Sequence, residues 1–257
     1  VKPFFASYNI IILALTVILS LLLSQSSFRR PKLIRLNTDP SKCNDDTLLR
    51  WVSDNGIFSK VSIGNFVHED RSTISEYWLD SVQERRGLIA MQDIKAGDVV
   101  LSVPWGKCLS SEHIANRTDH PLSSFVRRNR NKIASVDLLA IILLHEYHNS
   151  NSEWAPYLCL MPRKLMSTIY WDDVMLDTLD KNGTLYQKTL QAKAWLSARY
   201  VEVAHAVARP DSPVDPRVVT YSNYLWARGV VDSRNWGVPW GEQGATLALL
   251  APFADMA

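Results

Sequence analysis

Two arginines, Arg228 and Arg234, stand on a largely apolar, aromatic-rich background in TYSNYLWARGVVDSRNW (220–236), and Asp255 sits near the close of the apolar run GATLALLAPFADMA (244–257). A guanidinium presents a planar fork of donors that matches a carboxylate, so an arginine in such surroundings suits an acidic ligand group or an internal ion pair. For Arg234 both readings stand, with Asp232 and Asp255 as the partners within the chain. Arg228, in Trp-Ala-Arg, reads as a packing or ion-pair residue. His145 and His148 lie at i and i+3, a spacing that superficially suits a metal. The segment is not HExxH and brings no carboxylate ligand, so both read as surface histidines and no metal site is expected. Cys43, Cys108 and Cys159 are odd in number and far apart, which points to free or buried thiols in a reducing compartment.

The elements that must hold these residues are legible in outline. With 257 residues, 47% hydrophobic and 21% charged, the chain can bury one substantial core or two small ones. A net charge of +2 provides no basic face for a phosphate backbone. The one basic cluster, RRNR followed by Lys132, reads as a solvated helix end or loop, so no nucleic-acid partner is expected. TLLRWVSDNG (47–56) predicts a short helix stopped by Asn-Gly. In ERRGLIAMQDIKAGDVVLSVP (84–104), Leu88–Ala90 and Val99–Val103 read as two short strands around a turn at Gly97, a hairpin-like unit. ASVDLLAIILLHEYHN (134–149) predicts a helix with Leu138, Leu139, Ile142 and Leu143 on one face and Ser135, Asp137 and Asn149 as capping candidates. A further helix is expected over 184–208. Trp154, Tyr157 and Trp171 read as core packing.

Residues 4–23, FFASYNIIILALTVILSLLL, carry no charge and match the roughly 20 residues a helix needs to cross a hydrocarbon core. A membrane anchor is the favoured reading and a cleaved signal or targeting segment the alternative. Lys2 precedes the run, while Arg29, Arg30, Lys32 and Arg35 follow it, which directs the globular part toward the cytosol.

Three separated segments, taken in order, resemble the SET-domain protein methyltransferases of the Rubisco large-subunit lysine methyltransferase and actin-histidine methyltransferase subgroup. Glu84, Arg85, Arg86, Gly87 and Leu88, then Ala90, Ile94, Gly97, Asp98, Val103 and Pro104, match that subgroup's Glu-Gly-x-Gly-Leu strand and the stretch after it. EWAPYLCLMP (153–162) and Tyr170-Trp171 match its Trp-x-x-Tyr-Leu-x-x-Leu-Pro and later Tyr-Trp. SRNW (233–236) and Ala254-Asp255-Met256 match its arginine motif and the residues that precede an Asn-His pair. The resemblance runs from about residue 47 to 257.

The resemblance implies an α+β fold: a SET domain of short strands split by a mostly helical insertion and preceded by the N-terminal hydrophobic helix. The implied division is 1–35 anchor or signal segment with its basic flank, 36–108 first SET part, 109–216 insertion, and 217–257 the start of the second SET part. It implies S-adenosyl-L-methionine as cofactor, a protein substrate methylated on a lysine side chain, and a monomer. Cofactor contacts fall on Glu84, Arg85, Arg86, Arg234, Asp255 and Met256. Arg85 stands where the subgroup has its first glycine, so either the backbone accepts a side chain there or cofactor binding is weakened. Trp236 falls on the substrate channel, where the actin-histidine enzyme carries an asparagine that helps hold the imidazole; an aromatic there looks more like the lysine-modifying members. The catalytic tyrosine is expected beyond Ala257, so the chain as given is expected to bind the cofactor poorly and to transfer no methyl group. Histidine methylation and a non-catalytic SET-like scaffold are the alternatives.

Overall fold

The computed structural model describes residues 43–67, 84–240 and 245–256, and of Phe66, Val67, Glu84, Arg85 and Ala245 the backbone only. The uncharged run at 4–23 and its basic flank lie outside these residues. Among the described residues no helix is long and apolar enough to cross a membrane.

Asn44 accepts the Thr47 amide at 2.9 Å and starts α1 (Asp45–Asp54), which buries Leu48 and Val52 and stops at Asn55, as the sequence predicts. The strands that follow correct the expected hairpin. β1 (Phe58–Ser59) and β2 (Val61–Val67) precede β3 (Glu84–Ala90) and β4 (Leu101–Ser102). β3 pairs antiparallel with β2, and β4 pairs with β1, so the two predicted strands bond to the 58–67 segment and not to each other. The turn between them is where the sequence places it, with Gly97 at φ 90° and the Asp98 amide donating to the Lys95 carbonyl.

Besides these two-stranded pairs, a three-stranded sheet has the order β5 (Leu109–Ser110), β7 (Ala245–Leu250), β6 (Trp236–Trp240), all antiparallel. Val103 packs against the small cluster of Cys108, Leu249 and Ala251, and Leu88 and Leu101 pack against the main core.

Between β5 and β6 the chain is mostly helical: α2 (Ser111–Asn116), α3 (Ser123–Asn129), α4 (Ser135–His148), α5 (Ala155–Leu158), α6 (Asp173–Leu176), α7 (Thr184–Val207) and α8 (Tyr221–Arg234). α4 is buried nearly all round, from Asp137 to Leu144 and again at Glu146 and Tyr147, where the sequence pattern predicts one apolar face. It is the central helix, touched by α8, α2, α5 and the three-stranded sheet, so no side of it meets water over those turns. Ala134 precedes it without a side-chain cap. Asp137, expected as a cap, faces inward. Its fully buried carboxylate accepts from Arg228 Nη1 at 2.6 Å, Tyr224 Oη at 2.7 Å, and Arg199 Nη2 and Nε at 2.8 and 2.9 Å. The network joins α4, α7 and α8.

Candidate functional site

Thr220 caps α8 by accepting the Asn223 amide, and the helix runs to Arg234, where Asn235 turns the chain into β6. α8 therefore stops before Trp236, which opens β6 as an exposed strand residue. The two arginines of this helix meet different fates. Arg228 is buried and paired with Asp137 and Asp232, the ion-pair role expected of it. With Asp232 taken by Arg228, Arg234 turns to Asp255. Its Nη1 donates to the Asp255 main-chain oxygen at 2.8 Å and lies 3.7 Å from Asp255 Oδ2. The internal ion pair considered for Arg234 is thus realised in part. Its side chain remains 24% exposed, and Nη1 is the atom that hydrogen-bonds among the described residues.

Asp255 lies in a 3-10 turn, Ala254–Met256, that follows Phe253. Phe253 is fully buried at φ 73°, a left-handed backbone that costs a side-chain-bearing residue about 1–2 kcal/mol. The Asp255 carboxyl is fully buried. Tyr157 in α5 donates its hydroxyl to Oδ2, while Oδ1 has no partner among the described residues. Burial pushes the Asp255 carboxyl up to about 6, against the opposing pull of the Tyr157 hydroxyl and the Arg234 charge. Burial, then the neighbouring carboxyl charge, holds the Tyr157 phenol well above its ordinary range.

Tyr157 is the residue that sequence reasoning undervalues. Its ring is fully buried, as a core-packing reading expects, yet its hydroxyl reaches the aspartate of a different segment. The signal available is that a buried tyrosine needs a partner for its hydroxyl. Trp154 fits the core reading, being 1% exposed with its indole N–H donating to the Lys107 carbonyl at 2.9 Å.

The other predicted contacts are not drawn into this group by any described hydrogen bond or ion pair. Arg86 is exposed and donates to the Asp45 carboxylate at the start of α1. Glu84 and Arg85 lie in β3 opposite Val67 and Phe66, so the ladder accepts a non-glycine at 85, and their side chains lie outside the described residues. Met256 is partly buried on the main core.

His145 and His148 are half-buried, a correction to their reading as surface residues. His148 Nδ1 meets the Leu144 carbonyl at 2.7 Å, and desolvation lowers the His145 pKa. Beside them the buried Glu146 accepts from His120 at 3.0 Å and Ser152 at 2.6 Å. No group of three metal-ligating side chains occurs among the described residues. Clefts of about 400 and 190 Å³ lie along His145, His148 and Asp215 and along Arg117, Glu146 and Trp154. None of the group around Arg234 lines them, so cavity size and candidate chemistry point to different places. In the smaller cleft the polar groups are already paired with one another, His120 and Ser152 on Glu146 and Arg117 on Glu153.

No family model matches the chain. It is 25% identical over 207 residues to a fructose-bisphosphate aldolase-lysine N-methyltransferase, chloroplastic, of Arabidopsis thaliana, covering 80% of this chain and 38% of that protein. It is 24% identical to the Rubisco large-subunit N-methyltransferase, chloroplastic, of Pisum sativum, covering 81% and 38%, and 27% identical to an actin-histidine N-methyltransferase of Papio anubis, covering 81% and 33%. The chain spans well under half the length of the curated relatives it matches. Among solved structures, the SET domain of Rubisco LSMT bound to lysine and AdoHcy superposes with a TM-score of 0.61 at 20% identity, over 82% of this chain and 43% of that one. Rubisco LSMT bound to AdoMet gives 0.59 at the same identity and coverage. The resemblance read from the sequence is borne out by these relatives, and the SET-domain fold by these structures.

Proposed function

We propose that this chain supplies part of the S-adenosyl-L-methionine site of a protein-lysine N-methyltransferase. The carrying observation is Arg234, a guanidinium anchored through one N–H on a main-chain carbonyl, with its side chain 24% exposed at the end of α8. The donor set fits the group: a guanidinium edge for the carboxylate of the methionine moiety, with the Asp255 carboxyl standing off at 3.7 Å and bonded to Tyr157 instead. When bound, the cofactor supplies an electrophilic sulfonium methyl.

The chain's own residues prepare that transfer. Arg234 holds the carboxylate, and the Asp255 turn fixes where the guanidinium points. The backbone of Glu84–Leu88 borders the cofactor in this reading. Trp236, 51% exposed, forms an apolar wall of the amine channel. An apolar wall favours a neutral lysine amine, the nucleophilic form, and excludes water. Trp236 in place of an asparagine supports lysine over histidine. The names of the relatives support protein substrates of both kinds.

Arg86, committed to Asp45, favours the second reading, a SET-like scaffold that does not turn over. For localisation we read residues 4–23 as a membrane tether with the domain toward the cytosol; the chloroplast-targeted relatives lend weight to organelle targeting after cleavage.

Calorimetric titration of the intact protein with S-adenosylmethionine, followed by transfer of labelled methyl to extract proteins and residue analysis, tests the proposal. Cofactor binding and methyl-lysine are expected. Methyl-histidine overturns the substrate, cofactor binding without transfer favours the scaffold, and no binding overturns both readings.

A further inference from the structure

Tyr157 belongs to the helical segment between β5 and β6, Asp255 to the turn after β7, and Arg234 to the end of α8. One residue joins all three, because Asp255 uses its carboxylate for Tyr157 and its main-chain carbonyl for Arg234. We propose that Tyr157 is a positioning residue for Arg234, holding the Asp255 turn so that its carbonyl fixes the guanidinium in the direction in which a carboxylate is bound.

Packing alone does not call for this hydroxyl. The Tyr157 ring is fully buried, and a phenylalanine would fill the same volume. A buried hydroxyl beside a buried carboxyl carries a desolvation cost that an apolar pair would not. What the pair adds is orientation. The turn is entered through Phe253 in a left-handed conformation, from which a relaxed backbone would depart. Among the described residues the Tyr157 hydroxyl is the one side-chain donor bonded to the carboxyl, since Oδ1 has none and Arg234 stands at 3.7 Å. Removing it frees the side chain, and with it the plane of the carbonyl to which Arg234 is bonded.

The groups that act on Asp255 are Arg234 from α8 and Tyr157 from α5, with the Cys108 thiol beside Tyr157. The Tyr157 hydrogen bond favours the ionised carboxyl, so its loss moves the titration of Asp255 upward, while burial remains. Below about pH 6 the carboxyl protonates, the bond loses its charge assistance, and the turn loosens.

The experiment is carbon-13 and nitrogen-15 NMR of the intact, cofactor-free protein, comparing wild type with Tyr157→Phe and Asp255→Asn, with cofactor titrations on the same samples. Expected for wild type is an Asp255 carboxyl titrating near 6 and ordered Arg234 Nη resonances that broaden on the acid side. Tyr157→Phe moves that midpoint upward and broadens Arg234 already at neutral pH. Asp255→Asn leaves Arg234 broadened at every pH, with no further change on the acid side. The role itself rests on the cofactor reading above: Tyr157→Phe is expected to weaken S-adenosylmethionine binding by roughly tenfold, the worth of one hydrogen bond, with melting unchanged within a few degrees. Unchanged Arg234 resonances and an unchanged midpoint in Tyr157→Phe overturn the inference even if the cofactor binds. The expected NMR changes in a wild type that binds no cofactor overturn the reading of the site, and with it the role of Tyr157. If Tyr157→Phe does not fold, Asp255→Asn decides: an Arg234 that stays ordered at every pH in that variant overturns the inference.

Discussion

The molecule builds the same trio twice. Asp137, Arg228 and Tyr224 lie between α4 and α8, and Asp255, Arg234 and Tyr157 lie at the end of α8. Both aspartate side chains are fully buried, and both accept a tyrosine hydroxyl. The first carboxylate is saturated: Arg228 touches it directly, Arg199 adds two more donors, and Arg228 itself is 7% exposed. The second is left open, with one oxygen unpartnered among the described residues and its arginine, 24% exposed, bonded to the carbonyl instead. A closed trio belongs to the architecture, since each charge is neutralised where it sits. The open one leaves a partly exposed guanidinium with donors to spare, which is what the proposed cofactor role draws on.

The largest effect expected from this contrast is at the closed trio. Asp137→Ala removes the buried carboxylate between Arg228 and Arg199, leaves Arg228 to Asp232 and Arg199 to Glu202 alone, and should cost about 3 kcal/mol of stability. Urea denaturation measures it, and a loss below about 1 kcal/mol would remove the architectural half of the comparison.

Arg234→Ala sharpens the other half. Its stability should change by less than about 1 kcal/mol, since one partly exposed hydrogen bond is lost, while S-adenosylmethionine affinity falls roughly tenfold to a hundredfold. Calorimetry and thermal melting on the same samples separate the two. Arg228→Ala should show the reverse pattern, and equal behaviour of the two arginines would erase the distinction.

Asp255→Asn comes next. The folded carboxyl titrates near 6, above its ordinary 3.8, so the folded state binds this proton more tightly than the unfolded chain does. The stability this provides is fully present below about pH 4 and is lost as pH rises through 6. The asparagine variant removes that slope and should be more stable than wild type at pH 7 by about 1–2 kcal/mol. Denaturation curves at pH 4, 5, 6 and 7 check it; a variant less stable than wild type at neutral pH would mean that a donor outside the described residues satisfies Oδ1.

The smallest effect belongs to neither trio. Trp105 and Trp240 stack at 5.0 Å on the open face of β6, and Trp240→Ala should cost about 1 kcal/mol or less, leaving cofactor affinity alone. A change in affinity would show that this aromatic face and the Arg234 site are one surface.

Legibility in the sequence follows the range of the interactions. α1 is readable because its stop is local, in Asn55-Gly56. α7 ends within a residue of the expected bound. β2 escapes a sequence reading: Gly64 and Asn65 interrupt its apolar pattern, and its identity rests on pairing with β3. Asp137 looks like a cap because it lies in the first turn of a helix, and nothing nearby in the chain announces the three residues that turn it inward. Arg234 and Asp255 stand out in the sequence through the resemblance, and the structure brings the two together. Tyr157 does not stand out, because burial alone explains a tyrosine ring, and the destination of its hydroxyl is a matter of tertiary structure.

α8 carries a notch at Gly229, where an added Cβ would collide with the Tyr170 hydroxyl and with Leu165. Tyr170 uses the gap to donate to the Leu225 carbonyl at 2.9 Å. The two positions are therefore a lock and its key within one chain, and neither can change freely alone. Gly229→Ala would be tolerated only beside a shortened residue 170, so lineages of this protein should vary at the two sites together or not at all. A drift that broke the pairing would lift the 165–170 segment from the helix that ends in Arg234, placing a historical constraint on the site at two residues that never touch it.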